Sequence, residues 1–232
     1  MSLWKSPAEP PLVRTNKNNN KKHMNKTVKR EKPSVKFTEA DAPAKITIPE
    51  PVATPTPLPN STIRPGISDE MLKRAGIERI DAATAFARTG QPYSGLWIPY
   101  HNLDGSDMMH AGKPFGRIRM DVPTDKQKYH QEYGFQVRAY LSPGLMLFPK
   151  GAPVYLIEGE FKAPALVEAG YLAVGLGGIY GFGRQKSAVL LEEVKAVLDH
   201  FQPKLVYFVG DSDMCTNFQF SDAAIKLHNL IK

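Results

Sequence analysis

Residues 154–178 read VYLIEGEFKAPALVEAGYLAVGLGG, and residues 205–213 read LVYFVGDSD. The run at 154–157 is apolar, too short for a helix and bounded by glycine, so it predicts a buried strand of a parallel sheet. Residues 161–169 have helical spacing and are stopped by Gly170. Residues 171–174 predict a second strand and residues 205–209 a third. Between them, residues 187–200 predict an amphipathic helix with Val189, Leu190, Val194, Val197 and Leu198 on its apolar side. Residues 221–231 predict a last helix with Ser221 as its N-cap. Regular alternation of strand and helix predicts an α/β unit over residues 151–232, a parallel sheet flanked by helices.

Working outward, residues 61–150 read as a small, mostly β subdomain. Ser68 followed by Asp69 and Glu70 is the signature of a capped short helix, which Gly76 ends. Strands are expected at 95–100 and 115–120, joined through the turn residues Asn102, Asp104 and Gly105, with further strand near Lys128, Tyr129 and residues 138–141. Residues 1–60 read as a disordered basic tail ending in the Pro/Thr-rich stretch IPEPVATPTPLPN. That composition has too little apolar surface to offset its ordering entropy.

Charge separates the same regions. Residues 1–60 carry 11 Lys and Arg against 5 Asp and Glu, whereas residues 61–232 carry 19 against 18. The basic character therefore belongs to the tail, where it either attracts a polyanion or keeps the protein soluble. No apolar run approaches the roughly 18–20 residues that span a bilayer, so no membrane partner is expected. Cys215 is the single cysteine. It excludes an intramolecular disulfide framework and a cysteine-cluster zinc site, and fits a reducing cytoplasm.

Two acidic clusters fall at expected strand ends: Glu158-Gly159-Glu160 after the first strand, and Asp211-Ser212-Asp213 after the third. In open α/β sheets ligands bind beyond the carboxyl ends of the strands. Carboxylates brought together there repel one another unless a hard cation neutralises them, and oxygen ligands suit Mg²⁺ or Mn²⁺. Either cluster alone also reads as a helix cap or a solvated turn. Lys162 is placed to meet a phosphate, to neutralise Glu158, or simply to face solvent. The glycines at 175, 177, 178, 181 and 183 match neither the P-loop nor the dinucleotide fingerprint and read first as tight turns.

The two quoted stretches, extended through residues 214–224, resemble a TOPRIM domain, the acidic module of bacterial-type primases, topoisomerases and some nucleases. With GLWIPYHNLDG, RIRMD and KYHQEYG upstream, residues 66–232 are similar to an uncharacterised TOPRIM-like domain family of phage and plasmid primase and primase-helicase proteins. The resemblance implies that Glu158, Asp211 and Asp213 are catalytic and bind the metal, with Glu160 a lesser ligand. It implies that Arg117, Arg119, Lys128, Tyr129 and Lys162 contact nucleic acid or nucleotide. Arg117 and Arg119 share one face of their strand, which suits two phosphates but also a solvated face. Tyr93, Trp97, Tyr100, Tyr133 and Tyr140 offer stacking surfaces or core packing.

The activity so implied is a primase-like nucleotidyltransferase acting on single-stranded DNA and nucleotides in the replication of a mobile element. Its alternatives are a metal-dependent TOPRIM nuclease and a non-catalytic DNA-binding replication module. Without a Walker A motif the sequence holds no helicase engine, so a separate replicative helicase is an expected partner. The last expected helix lies at the end of the sequence, so a final TOPRIM strand is expected to be missing or supplied elsewhere.

Overall fold

The computed structural model describes residues 63–125, 127–183, 189–212 and 214–232. The tail expected over residues 1–60 lies outside them, and so does Asp213. The described chain is mixed α/β, built on two four-stranded sheets and a small hairpin.

Helix α1 (Asp69–Arg74) starts where Ser68 accepts a hydrogen bond from the Met71 amide, with Asp69 and Glu70 in its first turn. Strand β1 (Glu78–Ile80) leads into α2 (Ala82–Thr89), which Asp81 caps at one end and Gly90, at φ 72°, closes at the other. Neither β1 nor α2 is among the elements that the sequence pattern predicts. Strand β2 (Gly95–Pro99) follows, then the hairpin of β3 (Met109–His110) and β4 (Lys113–Pro114), then β5 (Gly116–Met120) and β6 (Tyr129–His130). The first sheet runs β1-β2-β5-β6 and is antiparallel throughout.

Its two faces differ. Trp97 and Ile118 pack with Ile80 and Ala85 in a small core of their own. Leu96, Ile98 and Tyr100 point the other way, into the main core of the molecule. Cross-strand partners share a face. The register Leu96↔Arg119 and Ile98↔Arg117 therefore puts both arginines on the main-core side, not on a solvated face.

Strand β7 (Tyr140–Leu141) leaves this region to join the second sheet. There follow β8 (Val154–Glu158), α3 (Lys162–Glu168), β9 (Leu172–Leu176), α4 (Glu192–Phe201), β10 (Val206–Val209) and α5 (Phe218–Ile231). The sheet order is β10-β8-β9-β7. Strands β10, β8 and β9 are parallel, and β7 lies antiparallel on the edge beside β9. The sheet is thus partly parallel. Val154, Leu156 and all of β9 are buried, as fits strands covered on both sides.

Two helix starts differ from expectation. Helix α4 begins at Glu192, because Leu190 forms a bridge with Gly183 and the Leu191 amide bonds to the Phe182 carbonyl. Apolar spacing predicts a start at 187, and residues 184–188 lie outside the described chain. Helix α5 begins earlier than expected. Asn217, not Ser221, is its cap and accepts a hydrogen bond from the Gln219 amide. No helix of the described chain is long and apolar enough to cross a membrane.

Candidate functional site

The chain runs from β8 through α3 to β9 on one side, then returns through α4 to β10 on the other side of β8. The winding direction therefore reverses between β8 and β10. The carboxyl ends of two such strands leave a crevice, because the connections depart in opposite directions. Val209 pairs with Ile157, so Glu158 at the end of β8 stands opposite Gly210, one residue before Asp211. Neighbouring strands are about 4.8 Å apart. Glu158 and Asp211 both line a cavity of about 820 Å³, whose walls also include Phe135, Gly177, Ile179 and Asn217.

Of the expected acidic set, the structure therefore brings Glu158 and Asp211 to one rim. Asp211 is exposed and Glu158 half-buried. Among the described residues no group of three or more His, Cys, Asp or Glu side chains is arranged to hold a metal ion. The donor set at the rim is all oxygen, which is the chemistry a hard divalent cation takes. Lys162, in the first turn of α3, ion-pairs with Asp211 rather than with Glu158.

Glu160 faces the other way. It is 1 % exposed, and its Oε1 accepts hydrogen bonds from the Tyr100 hydroxyl at 3.0 Å and from Arg117 Nη1. Burial, then the Glu160 carboxylate, hold the Tyr100 phenol well above its usual range. Burial opposes the charge of Arg117, yet Tyr100 and Glu160 together keep its proton more firmly bound than usual. This buried triad ties the first sheet to the turn that carries Glu158. As a metal ligand Glu160 is already spoken for by these internal partners.

Glycines make the turn possible. Gly159 sits at φ 106°, where side chains are strained. A Cβ on Gly175 would lie 3.2 Å from the Gly159 carbonyl oxygen and the Glu160 Cα, so β9 packs directly beneath the acidic turn. A Cβ on Gly177 would stand 2.9 Å from Arg117 Nη1.

The expected nucleic-acid contacts divide. Arg117 and Arg119 lie over the Tyr129 ring, at 4.9 and 5.9 Å from its centroid. Lys128 is exposed just before β6. Of the aromatic candidates, Trp97, Tyr100 and Tyr140 are buried, Tyr93 is half-buried against His130, and Tyr133 is fully exposed. Sequence reasoning missed Arg64, whose guanidinium lies 5.0 Å from the centroid of Phe161. No motif or apolar spacing around residue 64 marks it. The partner role of Tyr100 was hidden by its apolar surroundings.

Residues 146–232 match a family described as a domain of unknown function (DUF3854). That stretch contains β8 to α5 and hence both acidic turns. No curated protein and no solved structure matches the chain.

Proposed function

We propose that this chain is a primase-like, Mg²⁺-dependent nucleotidyltransferase built on a TOPRIM-like sheet, acting on single-stranded DNA in the cytoplasm. The observation that carries the reading is the β8–β10 register, which sets Glu158 and Asp211 side by side at the winding reversal. Glu158, Asp211 and Asp213 would hold the ion, and Mn²⁺ would serve in its place. The bound ion supplies neutralisation of the phosphoryl oxygens in the transition state. Glu158, half-buried at a strand end, is fixed in place by the triad behind its turn. Lys162 contributes a movable positive charge beside Asp211, suited to a phosphate oxygen.

A second reading, a non-catalytic DNA-binding module, draws support from the Lys162–Asp211 pair, since a lysine already neutralises one carboxylate of the rim. Labelled single-stranded DNA incubated with Mg²⁺ or Mn²⁺, with and without nucleotides, separates these readings. Extension that is lost in Glu158→Gln, Asp211→Asn and Asp213→Asn, with melting unchanged, supports the transferase. Cutting without nucleotides makes the chain a nuclease. Binding with neither reaction, or full extension by all three variants, overturns the catalytic reading.

A further inference from the structure

Strand β10 is an edge of the second sheet, and among the described residues no strand pairs with its outer side. The opposite edge, β7, is two residues long and buried. Strand β10 is longer and open: none of Val206, Tyr207, Phe208 and Val209 is fully buried, and none is charged or proline. An uncovered edge without charge or proline is a template for further pairing. Three rings lead to it across one face of the sheet. Tyr171 meets Tyr155 edge-on at 5.3 Å, and Tyr155 stacks on Tyr207 at 4.8 Å and 16°. Tyr207 is 36 % exposed and Leu205, just before β10, 50 %. We propose that this edge pairs antiparallel with the same edge of a second copy, joining two sheets across a twofold axis and bringing the partner's Lys204 beside the acidic rim.

The backbone fixes the register. The Val154 amide bonds to the Leu205 carbonyl, and Val206 pairs with Val154 in the parallel ladder. Along a strand the N–H and C=O of one residue point to the same side, and successive residues alternate. Leu205, Tyr207 and Val209 therefore turn theirs toward β8, while Val206 and Phe208 turn theirs outward. An antiparallel pair centred on Tyr207 opposite Tyr207 of the partner subunit lets each Val206 exchange two bonds with Phe208 across the axis. All four outward groups of each copy are then satisfied. A twofold axis perpendicular to the sheet keeps the faces matched, so the two Tyr207 rings meet on one face and Leu205 meets Val209. The Tyr155–Tyr207 spacing equals the roughly 4.8 Å between strands, so the two rows of rings continue as one.

Charge selects the same strand run backwards as the occupant. Lys204 precedes β10 and Asp211 follows it. In this register Lys204 stands opposite Gly210 of the partner subunit, one residue from the partner's Asp211, so opposite charges meet at both ends of the pair. The same strand added in parallel would set lysine beside lysine and aspartate beside aspartate. The contact is short, which places it among weak, transient interfaces, with a Kd expected at roughly 10–100 µM. The inference goes beyond the catalytic reading: the pairing needs neither metal nor nucleotide, and each can fail while the other stands.

The test is sedimentation equilibrium of the full chain without divalent metal, from about 1 to about 300 µM, a range that brackets the expected Kd. The wild type is expected to pass from monomer to dimer. Tyr207→Lys sets two lysines opposite each other and is expected to weaken the dimer at least about tenfold. Lys204→Glu turns an attraction into a repulsion at an exposed site and is expected to weaken it about fivefold. Disulfide trapping in a Cys215→Ser background reads the register. Tyr207→Cys is expected to cross-link two copies, because a Cα separation of about 4.5 Å lies within the roughly 4.4–6.8 Å that a disulfide spans. Val206→Cys, offset by two residues from its own copy, is expected to stay uncross-linked. A monomer at every concentration, a dimer that Tyr207→Lys leaves at full strength, or equal cross-linking of Val206→Cys and Tyr207→Cys overturns the proposal. Should the Tyr207 variants fail to fold, Lys204→Glu, in an exposed loop, decides alone, and dimerisation at wild-type strength overturns the proposal.

Discussion

Lys162 holds Asp211 in an ion pair that joins the first turn of α3 to the loop after β10. Both side chains are about half exposed, at 43 % and 55 %. Solvent-exposed pairs of this kind contribute roughly 0–1 kcal/mol. Lys162→Gln is therefore expected to leave the melting temperature nearly unchanged. Its effect on metal should be larger. If a divalent ion takes Asp211, it must displace the lysine, so Lys162→Gln is expected to bind Mn²⁺ several-fold more tightly and Asp211→Asn hardly at all. Isothermal titration with Mn²⁺ reads both. Equal affinities in wild type and Lys162→Gln would show that the lysine does not compete.

The Glu160–Arg117 pair stands at the opposite limit, with side chains 2 % and 19 % exposed. Removing one partner of a buried pair strands the other charge, at a cost of about 3–5 kcal/mol. Urea unfolding of Glu160→Leu is expected to register a loss of that order. The double variant Arg117→Leu with Glu160→Leu is expected to lose less than Glu160→Leu alone, because no charge remains stranded. A double variant as weak as the sum of the singles would mean that the pair does not act as a unit.

Glycine 175 tests whether β9 shapes the acidic turn. A methyl there meets the Gly159 carbonyl oxygen, the Glu160 Cα and the Tyr140 Cβ, all at 3.2 Å and two of them backbone. Overpacking of this sort typically costs about 1–3 kcal/mol. Gly175→Ala is expected to lose stability in that range and, by lifting the turn, to weaken divalent binding as well. Gly170→Ala meets no atom within 4 Å but sits at φ 88°, so it is expected to lose stability alone. Denaturation and Mn²⁺ titration, run on both variants, separate strain from displacement.

How much of this was legible beforehand depended on the range of the interactions. Strands β8, β9 and β10 and helix α3 were readable, because short apolar runs between glycines leave few alternatives. The meeting of Glu158 with the loop after β10 needs more than a parallel sheet: it needs β10 to lie beside β8, and the strand pattern in the sequence does not give that order. The start of α4 is not legible, since Val189 and Leu190 continue the helical spacing while Leu190 bridges Gly183 and the Leu191 amide bonds to the Phe182 carbonyl. Asn217 lost to Ser221 because both residues favour caps, and only the backbone around them chooses. The burial of Glu160 was invisible, for its partners Tyr100 and Arg117 come from the other sheet, 60 and 43 residues away. Local sequence carries no record of such a contact.

Histidine 130 should give the fold a measurable acid sensitivity. Its Nε2 is buried with no hydrogen-bond partner among the described residues, and its ring meets the edge of Tyr93 at 5.0 Å. Burial lowers its pKa, against a smaller opposing hydrogen bond involving the Thr89 backbone. In the unfolded chain a histidine titrates near 6.5. Between the lowered folded value and about 6.5, the unfolded state binds more protons, so stability rises with pH. The contribution is whole above about 6.5 and is lost as pH falls through it toward the folded value. Urea unfolding at about pH 7.5 and about pH 5 is expected to show a smaller acid loss in His130→Gln than in the wild type. Identical losses would mean that the ring is solvated when charged and that the depression is absent.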